Sequence, residues 1–314
     1  MKKNGHGYAS GKIILMGEHS VVYGEPAIAL PFSGTGIQTT ISFHPVNESW
    51  IESSFFTGPI GQAPDSMNSV KVLIWQMIKQ FKIQQPFYLK IDSTVPAERG
   101  MGSSAAVAVS ITRAFFDLLD IPATQANVLY FVNQAEKIAH GNPSGIDATT
   151  ISGVSPILYQ KRIGIEPFEL NMDAYLVVAD TGIKGQTRKA VKDVATLMEK
   201  MPKKIGTHIH KLGSLTKQAR QAILTNSPER LGDYMNQAQH VLTTLGTSNQ
   251  ALDHLIETAL THGALGAKLT GGGRGGCMIA LAQDEVSAHR LQETLLSAGA
   301  NNTWVEGLGA YAHV

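Results

Sequence analysis

The residues best suited to chemistry form a glycine-serine segment at positions 96–106, Pro-Ala-Glu-Arg-Gly-Met-Gly-Ser-Ser-Ala-Ala. Gly100 and Gly102 allow positive φ angles and a close approach of the backbone to a ligand. An apolar helix is predicted to follow, with Ser103 or Ser104 as its cap. Unpaired N–H groups at a helix N-terminus favour an anion, usually a phosphate. The segment lacks the Gly-Lys-Ser/Thr ending of a P-loop. It therefore predicts either a phosphate site built from amides and hydroxyls or a tight turn without a ligand.

Two carboxylates, Glu136 and Asp147, lie eleven residues apart, and the stretch His-Gly-Asn-Pro-Ser-Gly at 140–145 lies between them. A loop of this composition can fold back and bring both carboxylates near one site. Phosphoryl transfer uses one carboxylate for Mg²⁺ and one to orient or deprotonate a hydroxyl. The alternative is a solvated Glu at a helix end and an Asp that caps a helix.

A lysine also opens an apolar strand, because Lys12 precedes the run 13–16, which is followed by Gly17-Glu18-His19. A buried lysine requires a carboxylate or a phosphate as its partner, whereas a lysine at a strand edge can remain in solvent. Glu18 and His19 are suitable contacts for a small hydroxylated or carboxylated substrate. Local contacts within the turn are the alternative.

A second glycine-rich segment, Lys268–Gly276, contains five glycines in six residues before a predicted strand. Glycine costs backbone entropy, so this composition predicts a tight loop or the lining of a ligand site. Cys277 opens the strand and is predicted to be a buried structural thiol rather than a nucleophile.

The elements that must position these residues alternate unevenly, which favours an α+β fold over a regular βαβ repeat. A division into residues 1–165 and 166–314 is expected, since a polar stretch begins near position 160. Strands are predicted at 12–16, 27–30, 37–43, 86–92, 156–159, 174–179, 277–282 and 303–313. Residues 44–66 show no clear period and are predicted to form irregular surface that can include a short hairpin. Helices are predicted over 67–82, 107–116, 124–140, 187–200, 205–224, 228–245, 248–262 and 284–298.

The overall composition excludes several classes of protein. Hydrophobic residues make up 43% of the 314 residues, and 26 Lys and Arg nearly balance 25 Asp and Glu. This balance gives no indication of a nucleic-acid or anionic-membrane partner. One cysteine excludes an internal disulfide and fits a reducing compartment. No apolar run reaches membrane-spanning length and no signal peptide is recognised, so a cytoplasmic protein is expected.

Three blocks of this sequence resemble, in order and spacing, the three motifs of the GHMP kinase superfamily, which includes galacto-, homoserine, mevalonate and phosphomevalonate kinases. They are Gly11–Gly24, Pro96–Ala106 and Lys268–Cys277. Within the superfamily, Lys12 with the Gly-Glu-His turn, the stretch 140–147 and the stretch 180–188 are most similar to the mevalonate kinase family. The resemblance implies two lobes, the first similar to domain 2 of ribosomal protein S5 and the second ferredoxin-like with added helices.

The resemblance also implies an ATP-dependent kinase that phosphorylates the primary hydroxyl of mevalonate in isoprenoid precursor synthesis. Asp147 would accept the hydroxyl proton, and Lys12 would pair with Asp147 and the reacting oxygens. Ser104 and Glu136 would hold Mg²⁺. The implied ATP-binding residues are Pro96, Gly100, Met101, Gly102, Ser103 and Ser104. The implied mevalonate contacts are Glu18, His19 and Thr187. Gly271, Gly272 and Gly273 would border the ATP cleft.

Some alternatives stay open at this point. A phosphomevalonate kinase should carry additional basic residues near 18–23, and none is found there. A decarboxylase acting on mevalonate diphosphate fits less well, and a catalytically silent ligand sensor should lack Lys12 or Asp147. Arg274, in a loop that is often all glycine in relatives, could reach phosphate or solvent. A homodimer is common among relatives, and the short chain leaves feedback inhibition by isoprenoid diphosphates in doubt.

Overall fold

The computed structural model describes residues 2–43, 47–140 and 144–311, without the side chains of residues 139 and 140. Within these ranges the chain forms two compact units, and each is built from segments that are distant in the sequence. The first unit contains residues 2–12, 31–96 and 102–154, and the second contains residues 13–30, 97–101 and 155–311. The chain therefore passes between the units inside two of its motifs, after Lys12 and after Met101.

The strands of the described chain include two long ones, β1 and β2, which pair with each other and run through both units. The strands are β1 Asn4–Met16, β2 Ala27–Phe43, β3 Trp50–Glu52, β4 Thr57–Pro59, β5 Phe87–Ser93, β6 Ile157–Gln160, β7 Gly164–Pro167, β8 Tyr175–Asp180, β9 Gly266–Leu269, β10 Cys277–Ala282 and β11 Asn302–Gly307.

Most helices lie close to the predicted positions. They are α1 Asn68–Phe81, α2 Ser103–Leu119, α3 Gln125–His140, α4 Ile146–Ser152, α5 Thr187–Lys200, α6 Pro202–Leu224, α7 Pro228–Thr244, α8 Gln250–Thr261 and α9 Glu285–Ser297. No helix within the described ranges is both long enough and apolar enough to cross a membrane.

In the first unit, β5 pairs antiparallel with the Ile37–Phe43 part of β2 and parallel with β3, and β3 forms a hairpin with β4. Phe115 of α2 packs edge-on against Phe87 of β5, with ring centroids 5.3 Å apart. Gly7 of β1 lies against the backbone of α2, where a Cβ would collide with the carbonyl of Ser110. These contacts fix α2, and with it the glycine-serine segment at its N-terminus.

In the second unit, β11, β8, β10 and β9 form an antiparallel sheet in that order. Every residue of β10 is buried, and helices α8 and α9 pack against this sheet. The hairpin of β6 and β7 pairs with residues 27–29 of β2. This sheet holds both ends of the second glycine-rich segment, because β9 ends at Leu269 and β10 begins at Cys277.

The α+β architecture is confirmed, and the described part contains nine α-helices, one more than the eight predicted. The region 44–66, of which residues 44–46 lie outside the described part, contains the short hairpin of β3 and β4. Several predictions about elements were incomplete. The strand predicted at 12–16 begins at Asn4, because the inward positions between 5 and 9 are glycine and alanine rather than large apolar residues. The runs 27–30 and 37–43 are one strand despite the Pro and Gly residues between them. Helix α4 and strands β7 and β9 were not predicted. The strand predicted at 303–313 ends at Gly307, where the chain turns into a short 3-10 helix, Leu308–Ala310.

Candidate functional site

The glycine-serine segment ends at Gly102, the N-cap residue of α2. Gly102 has a φ of 74°, and no side chain caps the helix. The prediction that Ser103 or Ser104 is the cap is therefore wrong, because the left-handed backbone at this point favours glycine and moves both serines into the first turn. The first-turn N–H groups have no partner within the helix, so they are suited to bind an anion. Of the preceding segment, Pro96 is half-buried and Met101 is buried.

An oxygen pair lies at the first turn of α2. The Ser104 hydroxyl donates to Oε1 of Glu136 on α3 over 2.9 Å, and Glu136 is 4% exposed. Mg²⁺ binds oxygen ligands at about 2.0–2.1 Å in octahedral geometry, which places neighbouring ligands about 2.9 Å apart. The two oxygens therefore fit adjacent positions of a magnesium site whose other ligands come from phosphate and water.

The second polar pair of the first unit joins Lys12 to Asp147, with 3.1 Å between Nζ and Oδ1. The Lys12 side chain is 5% exposed, whereas that of Asp147 is 40% exposed. Asp147 lies in the first turn of α4 and does not cap it, because the N-cap is Gly145. The stem of Lys12 runs beside Gly102, where a Cβ would stand 2.9 Å from Cγ of Lys12 and 2.7 Å from Cδ1 of Ile151. The stem of Lys12 is thus packed against Gly102, while the carboxylate of Asp147 remains accessible.

A second lysine–carboxylate pair lies in the second unit, between Lys268 of β9 and Glu18 of the turn after β1. Both side chains are at most 1% exposed. The Lys268 ammonium also donates to the carbonyl of Leu269 over 2.7 Å. Burial lowers the pKa of Lys268, and the nearby Glu18 carboxylate partly opposes that shift. The sequence analysis did not predict this pair. Lys268 lies in an apolar strand, which is the same signal that identified Lys12 as a candidate.

His19, which was predicted as a substrate contact, is also buried and has a φ of 60°. Its Nε2 lies 3.0 Å from the carbonyl oxygen of Gly272. A carbonyl can only accept, so Nε2 carries the hydrogen. Burial lowers the pKa of His19, and the charges of Arg274 and Lys268 lower it further. His19 is therefore a neutral donor that joins the Gly-Glu-His turn to the glycine loop.

The loop between β9 and β10 is the tight turn that its composition predicts. Gly271 and Gly273 have φ angles of 77° and 76°. Gly271 lies against Gly100, where an added Cβ would stand 3.2 Å from the Cα of Gly100, and a Cβ on Gly272 would collide with Thr187. Thr187, the first residue of α5, is exposed. Within the second unit, the structure thus brings together Gly100, the loop glycines and Thr187.

Two arginines fix these segments. Arg274 pairs with Asp193 of α5 and donates from Nε to the carbonyl of Gly246 over 2.9 Å. The sequence left open whether Arg274 reaches a phosphate or solvent. In the structure its guanidinium instead binds protein groups, Asp193 and the carbonyl of Gly246. Arg99, which the sequence did not single out, donates from Nε to Asp180 over 2.9 Å, and Asp180 is 2% exposed. Both arginines hold backbone in place.

Cys277 is buried, and burial raises the pKa of its thiol, which confirms the prediction of a structural thiol. Residues 141–143 of the motif that precedes Asp147 lie outside the described residues, as does the side chain of His140.

Comparisons with known proteins agree on a family. The model of the GHMP kinases N terminal domain matches residues 68–154, and the model of the GHMP kinases C terminal domain matches residues 219–301. A mevalonate kinase of Pyrococcus horikoshii is 35% identical over 295 residues, which cover 87% of each chain.

Two solved structures are similar over nearly the whole chain. The L. major mevalonate kinase in complex with R-mevalonate is 28% identical, with a TM-score of 0.86, and the match covers 97% of this chain and 96% of that one. The mevalonate kinase from methicillin-resistant Staphylococcus aureus MRSA252 is 34% identical, with a TM-score of 0.75, and the match covers 98% and 100% of the two chains.

Proposed function

The chain belongs to the GHMP kinase family, and from this premise we propose that it is a mevalonate kinase. It transfers the γ-phosphoryl group of ATP to the primary hydroxyl of mevalonate and releases 5-phosphomevalonate and ADP. The observation that carries the proposal is the Lys12–Asp147 pair, in which a buried ammonium lies 3.1 Å from an accessible carboxylate. A silent sensor on the same fold has no need for such a pair.

In the reaction, the mevalonate hydroxyl oxygen forms a bond to the γ-phosphorus while the bond from that phosphorus to the β,γ-bridging oxygen breaks. Asp147 accepts the hydroxyl proton. Lys12 stabilises the negative charge that develops on the attacking and transferring oxygens. It also keeps Asp147 oriented, and Gly102 leaves room for its stem. Positioning and charge stabilisation account for most of the rate in phosphoryl transfer.

The phosphates of ATP bind the glycine-serine segment, through the amides from Gly100 to Ser104 and the N-terminus of α2. We assign Mg²⁺ to Ser104 and Glu136, whose oxygens have a suitable separation. The ion, when bound, neutralises phosphate charge that no P-loop lysine is present to neutralise.

For mevalonate, we assign direct contacts to His19 and Thr187, with Glu18 acting beside them. The carbonyl of Gly272 accepts the Nε2–H of His19, so neutral His19 offers Nδ1 to mevalonate as an acceptor. Thr187 presents an exposed hydroxyl next to that glycine. The Glu18 carboxylate is enclosed with Lys268, so its contribution to substrate binding runs through the shape and charge of the turn.

A coupled assay of ADP release tests the proposal with mevalonate, phosphomevalonate, galactose and homoserine as acceptors. Turnover is expected with mevalonate and at a much lower rate, or not at all, with the other three. Turnover of phosphomevalonate without turnover of mevalonate would instead identify a phosphomevalonate kinase. The division at residue 165, the cytoplasmic location and the homodimer remain proposals, and light scattering of the purified protein decides the last.

A further inference from the structure

The near-zero net charge conceals a strongly positive segment. Residues 184–220 contain ten Lys and Arg against two Asp and Glu, whereas the rest of the chain contains sixteen against twenty-three. This segment includes α5 and α6. Lys184 pairs with Glu98 and Arg220 pairs with Glu166, while the other eight cations form no ion pair with a described residue. The surface of these helices therefore attracts anions.

The C-terminal half of α6 and the hairpin of β6 and β7 enclose a cavity of about 370 Å³ within the second unit. Leu158, Ile163 and Leu224 provide apolar surface, and Ile163 and Leu224 are 78% and 56% exposed at the rim. Lys217 and Arg220, one turn apart on α6, provide the basic side. The volume lies in the range of small-molecule sites, about 300–1,000 Å³.

The guanidinium of Arg220 has an unfulfilled donor. Its Nη2 donates to Oε1 of Glu166 over 2.6 Å, but its Nε is buried and has no hydrogen-bond partner among the described residues. A buried N–H without an acceptor is uncommon in native proteins, and an ordered water or ion is one of the ways in which such a group is satisfied. Glu166 is the one acid among the residues that line the cavity, so the two cations leave a net charge of one positive unit there.

We propose that this cavity binds a small organic anion. Its carboxylate or phosphate lies between Lys217 and Arg220 and accepts from their ammonium and guanidinium N–H groups. Its hydrocarbon part covers Leu158, Ile163 and Leu224. The positive charge of α5 and α6 draws the anion in, and the apolar rim selects ligands with a hydrocarbon body over inorganic ions. None of the cavity residues belongs to the kinase machinery, so the inference does not depend on the proposed function.

Calorimetric titration of the full chain tests the proposal with hexyl phosphate, hexanoate, inorganic phosphate and acetate as probes. Saturating ADP is present, so that the proposed nucleotide site is already filled, and mevalonate is left out because it is itself a small organic anion. Lys217→Met removes the charge and keeps the stem, and Leu224→Ser removes apolar surface. Lys211→Met is the matched control, because Lys211 is an exposed lysine of α6 that forms no ion pair with a described residue and does not line the cavity.

Saturable 1:1 binding of a hexyl ligand, tighter than that of the inorganic ion or acetate, supports the proposal and identifies the head group. Lys217→Met should weaken this binding by about tenfold, the size of one charge-assisted hydrogen bond, and Leu224→Ser should reduce the advantage of the hexyl chain. Lys211→Met should leave it unchanged. An absence of saturable binding, or equal weakening by Lys211→Met and Lys217→Met, would overturn the proposal.

Discussion

Two lysine–carboxylate pairs in this molecule look alike in the sequence and differ in the structure. Lys12 and Asp147 leave the carboxylate 40% exposed, whereas Lys268 and Glu18 are both enclosed to within 1%. Each lysine belongs to an apolar strand, and each partner is distant along the chain. The first pair can exchange a proton with a substrate. The second is enclosed and holds the turn that carries His19.

The difference in exposure should separate the two pairs in energy as well as in role. An exposed carboxylate that loses its cation is rehydrated, and such pairs contribute about 0–1 kcal/mol to stability. A buried carboxylate that loses its cation retains the cost of its desolvation. We therefore expect one pair to control turnover and the other to control folding.

The largest expected effect is on turnover in Asp147→Asn. An amide cannot accept the hydroxyl proton, so kcat should fall by about 10²–10⁴-fold, up to about 5.5 kcal/mol in the barrier. ADP affinity, measured by calorimetry, should stay near that of the unmodified chain. The free energy of unfolding should fall, because the buried Lys12 ammonium loses its counter-charge, although the asparagine carbonyl can still accept from it. Asp120→Asn, at a highly exposed acid, is the control. If the Asp147→Asn enzyme kept nearly full activity, Asp147 would not be the group that accepts the hydroxyl proton.

Lys268→Met should have the largest effect on folding. It leaves the Glu18 carboxylate buried without its cation, at a cost of about 3–5 kcal/mol in the free energy of unfolding. The double variant Glu18→Gln with Lys268→Met removes the stranded charge and should recover most of the loss. Lys12→Met is the matched comparison, with a cost of about 1 kcal/mol or less. If urea unfolding showed that Lys268→Met and Lys12→Met lower the free energy of unfolding equally, the two pairs would not differ in their contribution to stability.

Gly102→Ala tests how the active pair is held. Its φ of 74° strains an alanine by about 1–3 kcal/mol, and the new Cβ would press on Lys12. Gly263→Ala is the control, because Gly263 has a φ of 93° and no atom within 4 Å of the added Cβ. Both variants should lose stability in urea because of their positive φ, and Gly102→Ala should lose more because its Cβ also meets Ile151 and Lys12. Only Gly102→Ala should lower kcat, by up to about 10²-fold, and an equal kcat in both would mean that the position of Lys12 is not critical.

Local pattern predicted the elements well where large apolar residues repeat, as in α1, and poorly where glycine takes the inward positions, as in β1. The chemistry-bearing residues were identified because their types are unusual for their surroundings. The partners were harder to identify. Lys268 meets Glu18 across 250 residues of sequence, and this contact depends on the packing of β9 against the turn after β1. The cap of α2 was predicted wrongly because serine is a common cap, whereas the close approach of Lys12 and the backbone at Gly102 require glycine there.

The smallest expected effect is a dependence of stability on pH that arises from His19, next to the enclosed pair. Burial and the charge of Lys268 lower the pKa of His19 in the folded protein, while the unfolded chain keeps the ordinary value of about 6.5. Below pH 6.5 the unfolded state therefore binds a proton that the folded state does not. Stability should fall as the pH drops through this value, with a slope of up to about 1.4 kcal/mol per pH unit from this residue.

His19→Gln tests this origin of the slope, because glutamine keeps an N–H donor for the carbonyl of Gly272 but does not titrate. The free energy of unfolding, measured in urea between pH 7.5 and 5.5, should depend less on pH in this variant. His254→Gln, at an exposed position of α8, should leave the slope unchanged. If both variants keep the full slope, the folded protein protonates His19 as readily as the unfolded chain does. The surroundings of the Glu18–Lys268 pair would then be far more hydrated than their burial implies, and the contrast with Lys12 and Asp147 would lose its physical basis.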